Sequence, residues 1–308
     1  MMLVAVYGHT PYATTWEGQR VSTSPTALKR WIAGELTRLR ERNGITRAEA
    51  AKAIHGSIQN IGHFEVGRRM PQPLELETLL RFYGAPDRVD FFLSLRDRSR
   101  KSTDWWIRFD SEDALPEYLK LFLGVETMAD KIESWDTHLV PGLFQTRAYA
   151  DAIIRGGAPK LRKKDRERRV ELRMARQQEV LGSGRAPAVH AIISEASLRY
   201  LNGGREVQTE QLASLLEWNE QPNIEIRVLP FEEGLLAGVD GAFMLLTYPP
   251  EFDHELGTAY VENRIEVLYY EQPSAVAPFR AAFDELKVKA LKSSDSNDLI
   301  KRALEEHA

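Results

Sequence analysis

The sequence contains no cysteine in its 308 residues. This absence excludes disulfide frameworks, thiolate metal sites and cysteine nucleophiles together, and it is typical of proteins in a reducing compartment. No uninterrupted apolar run approaches the roughly 18 residues that a helix needs to cross a bilayer, and the N-terminus lacks the pattern of a signal peptide. The sequence therefore predicts a cytoplasmic protein that does not enter a membrane.

The charge of the chain is nearly balanced but unevenly distributed. Its 41 Lys and Arg residues against 45 Asp and Glu residues give a net charge of -4. The segment from Thr26 to Ser102 has 15 basic and 9 acidic residues, a net of +6, which leaves -10 for the rest. Because 308 residues exceed the size of a typical single core, we expect a basic module joined to a larger acidic body.

The basic module, residues 26–98, has the patterning of five short helices. Apolar residues from Leu28 to Leu39 recur at spacings of three and four, which predicts an amphipathic helix. Thr46 and Glu49 have the spacing of a capping box at the start of a second helix, and His55-Gly56 separates that helix from a third. Two further helices complete a mostly α-helical domain.

The second and third helices have the composition of a helix-turn-helix. Small and apolar residues can pack the two helices together: Ala50, Ala51, Ile54, Ile61 and Phe64. The outer face of the third helix then carries Gln59, Asn60 and His63, and Gln or Asn can bond an adenine edge in the major groove. Residues near the helix ends can bind DNA phosphates: Arg47, Ser57, Arg68 and Arg69. The alternative is a helical bundle whose basic surface is only solvated.

Two runs of sequence carry a resemblance to a known family. The run from Leu36 to Ala51 and the run Ile61-Gly-His-Phe-Glu-x-Gly-Arg-Arg-x-Pro resemble the phage-repressor or XRE-type helix-turn-helix proteins. The resemblance implies an ion pair between Arg40 and Glu65 that ties the first helix to the end of the recognition helix. Such a pair fixes orientation more than it adds stability.

The sequence departs from the pattern of that family at three positions. Arg47 and Ile58 stand where the family commonly has Gln, so Ile58 would join the base-reading face only through contact with a thymine methyl group. His55 stands where a turn glycine is usual, and the glycine follows one residue later. Ile58 and the displaced Gly56 keep open a second hypothesis, in which the helix-turn-helix docks a protein partner and does not read DNA.

The body, residues 105–292, is predicted to be an α+β domain with a small antiparallel sheet. Helical patterns cover Leu119 to Trp135, Phe144 to Arg155 and Lys160 to Gln178, strand-like segments occur between Val189 and Tyr270, and a helix spans Val276 to Leu291. We assign residues 1–25 to an N-terminal arm, 99–104 to a linker and 293–308 to a C-terminal tail.

Three segments of the body resemble one family of regulators. They begin at Trp135 (Trp-x2-His-Leu-Val-Pro-Gly-Leu-Phe-Gln), at Arg168 (Arg-Arg-Val-Glu-Leu-Arg-x-Ala-Arg-Gln) and at Asn223 (Asn-Ile-Glu-Ile-Arg-Val-Leu-Pro-Phe). They are similar to the large C-terminal domain of unknown function in actinobacterial WhiJ-like, antitoxin-like regulators. The resemblance implies a regulator whose DNA binding is modulated through this domain, with a small partner protein encoded nearby. A small-molecule effector is a second candidate ligand, which the resemblance does not supply. The resemblance implies no cofactor.

The body offers little catalytic chemistry. Glu195 and Glu262 each end a predicted strand and could face each other as paired carboxylates, although strand-end acids are more often solvated. The seven histidines lack metal-ligand spacing. We therefore expect no enzyme activity, no metal and no cofactor, and interpret the chain as a transcriptional regulator that binds double-stranded DNA as a homodimer. An enzyme site in the body remains a third, weaker hypothesis.

Overall fold

The computed structural model describes residues 24–110, 115–182, 186–234, 240–252, 257–263 and 266–307. These residues form twelve α-helices and six β-strands. The helices are α1 (Pro25–Arg42), α2 (Arg47–Ala53), α3 (Ile58–Glu65), α4 (Pro73–Phe82), α5 (Val89–Lys101), α6 (Glu117–Thr127), α7 (Arg147–Gly157), α8 (Lys163–Leu181), α9 (Ala196–Arg199), α10 (Arg205–Trp218), α11 (Pro273–Lys289) and α12 (Ser293–His307). The strands are β1 (Lys131–Asp136), β2 (Ala188–Ser194), β3 (Ile224–Leu229), β4 (Phe243–Thr247), β5 (Thr258–Glu262) and β6 (Val267–Tyr270). The arm expected before Ser24 lies outside the described residues.

Helices α1 to α5 form the predicted helical unit. The Ser24 hydroxyl accepts a hydrogen bond from the Ala27 amide at 3.2 Å, and Pro25 occupies the first helical position, so α1 begins where both residues favour it. Leu28, Ile32 and Leu36 lie on the buried face of α1. They share a core with side chains from α2 to α5, which confirms the helical N-terminal part of the prediction.

The C-terminal region contains a six-stranded mixed sheet in the order β3-β2-β1-β4-β5-β6. Strands β1, β2 and β3 run parallel, whereas β4, β5 and β6 pair antiparallel beyond β1. The expectation of a small antiparallel sheet was therefore wrong. It described only the half formed by the last three strands, because parallel strands separated by helices leave no hairpin signal in the sequence.

The strand that joins the two halves, β1, was predicted as the end of a helix. Its four inner residues are buried although two of them, Glu133 and Ser134, are polar. A central strand usually shows a nearly continuous apolar run, and these polar residues interrupt it. Arg280 bonds the Glu133 carboxylate, and the Ser134 hydroxyl donates to Asp136 at 2.9 Å, so the buried polar groups are satisfied.

Helices cover both faces of this sheet. One face packs against α7, α8, α10 and α12 through a core that includes Ile132 and Ile226. The other face packs against α11 through Trp135, Leu245 and Phe283. The alternation of Ile132 and Trp135 between the two cores follows from the two-residue period of a strand.

Residues 293–307, expected as a tail, form α12. Leu299, Ile300 and Ala303 of this helix are buried. The Ser296 hydroxyl accepts a hydrogen bond from the Val228 amide at 3.0 Å, so α12 also satisfies a backbone donor of the edge strand β3. The charged residues between the apolar positions gave the segment the composition of a tail, but their spacing is helical.

The polar segment expected as a linker holds the two regions together. Residues up to Lys101 continue α5, and Ser99 is buried. The Asp104 carboxylate accepts hydrogen bonds from Ser24 at 2.8 Å and Thr26 at 2.6 Å. The segment is therefore bonded to the start of α1 and does not behave as a free tether.

Helix α1 also packs directly on the C-terminal region. Trp31 contacts the rings of Phe91 and Phe92 within the helical unit and of Phe252 outside it, with ring centroids 5.1–5.8 Å apart. Gly124 of α6 allows α6 to approach α1 closely, because a Cβ there would lie 2.8 Å from the Ser24 hydroxyl oxygen. One apolar core therefore runs from the helical unit into the sheet region.

Candidate nucleic-acid interface

The turn between α2 and α3 is a Schellman motif with histidine in the position that glycine usually occupies. The His55 amide donates to the Lys52 carbonyl at 3.2 Å, and the Gly56 amide donates to the Ala51 carbonyl at 2.8 Å. His55 has a φ of 51°, the left-handed conformation that costs an L-residue free energy. The turn geometry is therefore regular despite the displaced glycine.

Side-chain caps fix where both helices of the motif begin. Thr46 and Glu49 form the predicted capping box, in which the Thr46 hydroxyl accepts from the Glu49 amide at 3.2 Å. The Ser57 hydroxyl accepts from the Asn60 amide at 3.1 Å and so caps α3. Ser57, predicted to contact DNA phosphate, can still donate its hydroxyl proton to a phosphate oxygen while it serves as this cap.

The predicted inner residues of the motif lie in the core. Ala50, Ala51, Ile61 and Phe64 are buried, and Ile54 is partly buried against them. The packing leaves one face of α3 directed outward.

The predicted base-reading side chains lie on that outward face. Gln59 is exposed, and Asn60 and His63 are half-buried. Among the described residues, none of these three side chains has a hydrogen-bond partner, so their donors and acceptors remain available to base edges. Ile58 is 57% exposed and adds an apolar contact surface at the first turn of the helix.

An ion pair between Arg40 of α1 and Glu65 fixes the C-terminal end of α3. Arg40 bonds the Glu65 carboxylate through Nε and, at 3.2 Å, through Nη2, while its Nη1 donates to the Ile45 carbonyl at 2.9 Å. The Glu65 side chain is 3% exposed and that of Arg40 is 9% exposed. The hydrogen bond to Glu65 raises the pKa of Arg40, and burial beside Glu65 raises the pKa of the Tyr83 phenol.

Arg47 also contacts Glu65, which the sequence did not indicate. Its Nε donates to Glu65 Oε2 at 2.7 Å, while half of the side chain stays exposed. The residue predicted to contact phosphate therefore forms the outer member of a triad with Arg40 and Glu65. No spacing rule signals this contact, because the two residues lie 18 positions apart on different helices.

The other two predicted phosphate ligands follow the end of α3. Arg68 and Arg69 are exposed, and the Arg69 guanidinium lies 5.9 Å from the centroid of the Phe64 ring. A guanidinium stacked on a ring is partly pre-positioned and keeps its outer N–H groups for an anion.

The geometry of α2 and α3 agrees with the comparison to known families. A model described as a helix-turn-helix domain matches residues 31–91, the region that contains both helices and the Arg40–Glu65 pair. A second model, described as a domain of unknown function (DUF5753), matches residues 119–302. The chain belongs to the DUF5753 family. No curated protein and no solved structure matches it.

The DUF5753 domain separates the two strand-end carboxylates considered above. Glu195 follows β2, accepts from Arg199 at 2.9 Å and from the Phe231 amide at 3.1 Å. Glu262 ends β5, where it accepts from the Tyr260 hydroxyl at 2.8 Å. Strands β1 and β4 lie between β2 and β5, so these two strands are about 14 Å apart at a spacing of roughly 4.8 Å, and the two acids do not face each other.

Most of the predicted helix from Lys160 to Gln178, which is rich in Lys and Arg, lies in α8. Its charged side chains pair along and between helices: Arg166 bonds Asp151 at 2.7 Å, and Arg176 holds the buried Glu126 through two hydrogen bonds of 2.6 Å. Much of its charge therefore supports packing within the domain. The described residues hold no group of three His, Asp or Glu side chains arranged for a metal ion. None of the described helices has the length and apolar character of a membrane span.

Proposed function

We propose that this DUF5753 protein is a sequence-specific DNA-binding transcriptional regulator. The observation that carries the proposal is the outer face of α3, where the side chains of Gln59, Asn60 and His63 have no hydrogen-bond partner among the described residues. The match of residues 31–91 to a helix-turn-helix domain supports the same function. Helix α3 would lie in the major groove with its first turns against the base edges.

The proposed contacts are of two kinds, those that read base edges and those that bind DNA phosphates. Gln59 and Asn60 read adenine edges, His63 adds a hydrogen bond further along the helix, and Ile58 covers a thymine methyl group. Arg68 and Arg69 bind phosphates and add affinity without sequence preference, as do the exposed half of Arg47 and the hydroxyl of Ser57.

A dimer would place two copies of α3 in successive major-groove turns of a palindromic operator, roughly 34 Å apart. The DUF5753 domain would bind a small partner protein or a small-molecule effector, and this binding would modulate the attachment of the helix-turn-helix to DNA. Such a ligand shifts DNA binding only if it has different affinities for two arrangements of the DNA-binding units. The cytoplasmic location and the absence of enzyme activity stay predictions of the sequence.

The first experiment is selection of bound duplexes from a random library at near-physiological salt, read by sequencing. We expect the wild type to enrich a palindromic motif, and Gln59→Ala with Asn60→Ala to lose the motif but keep salt-dependent background binding. Gln221→Ala is the matched control, because Gln221 is exposed in the DUF5753 domain, far along the chain from α3. A motif that survives the double substitution would remove these residues from the reading face.

The phosphate-binding role is measured by the salt dependence of affinity for one enriched duplex. Arg68→Ala with Arg69→Ala should weaken binding to all sequences alike and lower the slope of log K against log salt by about 2. The pair Lys301→Ala with Arg302→Ala, on the exposed face of α12, removes the same charge elsewhere and should leave the slope unchanged.

A second function has one observation in its favour. Ile58 is 57% and Val66 is 68% exposed at the two ends of α3, and exposed apolar side chains are typical of protein docking surfaces. In this alternative the helix-turn-helix would bind a protein partner. A folded protein that enriches no DNA motif would favour it.

A further inference from the structure

A groove of about 740 Å³ lies between the helix-turn-helix unit and the DUF5753 domain. The exposed side of α1, from Arg30 to Arg42, forms one wall, and Glu271–Pro273 with Gly257 forms the other. Val66 at the end of α3 lines it as well. Sites for small organic ligands span about 300–1,000 Å³, so the groove has the size of such a site.

A recess of about 40 Å³ adjoins this groove. Both cavities are lined by Arg30, Gly34 and Glu271, which places the recess beside the middle of α1. Buried apolar side chains form its inner part: Trp31, Val125 and Met128. A polar groove with an apolar recess suits a ligand that carries one charged end and one apolar end.

Gly34 keeps the groove open. It lies inside an 18-residue helix, where glycine is less favourable than alanine. No packing requires glycine there, because a Cβ on Gly34 would meet no heavy atom within 4 Å. Because Gly34 lines both cavities, a larger side chain at this position would project into the groove at the mouth of the recess.

The buried carboxylates of the groove are already neutralised. Glu35, whose side chain is fully buried, accepts from Arg38 at 2.7 Å and also bonds Arg88. Glu65 is held by two guanidinium groups in the triad described above. Neither carboxylate is left to attract a cationic ligand.

The exposed charges of the groove include a guanidinium that is not committed. Glu271 accepts from Arg30 at 3.3 and 3.1 Å, and Glu41 contacts Arg40 at 3.1 Å, so both exposed acids are paired. Arg42 is exposed and has no ion-pair partner among the described residues. A carboxylate or phosphate group is the partner that a guanidinium binds best.

We propose that this groove binds a small amphipathic organic anion, whose apolar end enters the recess and whose carboxylate or phosphate pairs with Arg42. Gly34 and Arg42 both line the groove and are eight residues apart, about 12 Å along a helix. Long helical side chains generally lean toward the N-terminus of the helix, which is the direction of the recess from Arg42. A medium-length alkyl chain spans that distance. The ligand would contact α1 and the segment Glu271–Pro273 together.

Glu65 and Val66 line the groove and lie at the end of α3, so a ligand in the groove would contact the DNA-reading helix. A role of the groove in regulation therefore rests on the proposed function. Binding itself needs no DNA. The occupancy of the groove can therefore be tested separately from the reading of DNA sequence.

The test is isothermal titration of the full chain with octanoate and with octyl phosphate, and with octanol as the uncharged control. We expect at least one anion to bind with a dissociation constant below about 1 mM, and octanol to bind at least about tenfold more weakly. The tighter of the two anions identifies the charged group. No binding of either anion, or equal binding of octanol, would overturn the proposal.

Three variants locate the binding. Gly34→Leu should abolish it, and Arg42→Ala should weaken it about tenfold. Gly156→Leu is the matched control, since Gly156 is another exposed helical glycine with no heavy atom within 4 Å of a built Cβ, and it should bind as the wild type does. Circular dichroism melting establishes that each of the three variants is folded.

Unchanged binding in Gly34→Leu would move the ligand out of this groove and refute the site. A wild type that binds octanoate but enriches no DNA motif would retain the groove and reject the regulator function. The reverse pair of results would retain the regulator and reject the groove.

Discussion

The two sides of the helix-turn-helix unit differ in how their polar groups are used. On the side of α3, the side chains of Gln59 and Asn60 have no hydrogen-bond partner among the described residues. On the side of α1, Thr26 bonds Asp104, Arg30 bonds Glu271, and Trp31 packs among rings from both regions. The α3 side chains are available to a ligand outside the chain, whereas Thr26, Arg30 and Trp31 of α1 contact other parts of the same chain.

This difference shows how the unit is oriented. A helix-turn-helix joined by a flexible tether could rotate relative to the DUF5753 domain without any change in the outer face of α3. Here the α1 side is fixed to the DUF5753 domain by an apolar core as well as by polar contacts. The direction of α3 is therefore set by the whole molecule, and the following changes test the two sides against each other.

The largest effect is expected on the side of α1. Trp31→Ala removes a buried indole that contacts Phe91, Phe92 and Phe252, and large-to-small changes of this type cost about 3–5 kcal/mol in the free energy of unfolding. The control Val66→Ala, on the exposed side, should stay within about 0.5 kcal/mol of the wild type. Urea denaturation measures both. A small loss in Trp31→Ala would mean that the junction is loosely packed.

Removal of the Glu65 carboxylate should have the next largest effect on the free energy of unfolding. Glu65→Ala leaves Arg40 buried without its carboxylate, which costs about 3 kcal/mol. Glu41→Ala removes an exposed acid from the same arginine and should cost less than about 1 kcal/mol. Replacing Arg40 and Glu65 together by leucine should recover much of the stability but not the DNA affinity. Full recovery of affinity would show that the pair does not orient α3.

Two helical glycines offer a matched pair of small stabilisations. Gly34 in α1 and Gly62 in α3 both have open space around a built Cβ, so alanine at either should raise the free energy of unfolding by about 0.8–1 kcal/mol. Only Gly62→Ala should change DNA binding, because Gly62 lies on the reading helix. An effect of Gly34→Ala on the selected motif, in protein free of ligand, would break the separation of the two sides.

The smallest change concerns the turn. His55→Gly should stabilise the protein by about 0.5–1 kcal/mol. Glycine takes a φ of 51° without the steric cost that histidine has, and this gain is larger than the loss from the greater entropy of glycine in the unfolded chain. Gly44→Ala, at a φ of 65°, should shift stability in the opposite direction. If both variants melt with the wild type, the left-handed positions carry no strain.

The helical unit could be predicted closely because its determinants are local. Caps such as Thr46 and Ser57, apolar spacings of three and four, and glycines after helix ends all act within a few residues. The Arg40–Glu65 pair required the resemblance to a family, since nothing local joins residues 25 positions apart. Which base-reading role each side chain has stays a prediction.

The sheet and the junction could not be read in the same way. Strand β1 owes its conformation to its pairing with β2 and β4, and its buried Glu133 depends on Arg280 from α11. The polar composition of residues 99–104 indicated a linker. The contacts of Asp104 with Ser24 and Thr26 could not be predicted, because they join residues about 80 positions apart in the sequence. Such contacts are set by tertiary packing, which a one-dimensional pattern does not contain.

The close approach at Gly124 bears on how such proteins can be recombined. A Cβ at this position would lie 2.8 Å from the Ser24 hydroxyl oxygen and 3.1 Å from the Ala27 Cβ, so each side of the contact is fitted to small atoms on the other. A chimera that receives a foreign helix-turn-helix must keep small residues where Ser24 and Ala27 stand. Engineers who exchange these units to retarget the protein should treat the first turn of α1 as part of the recipient.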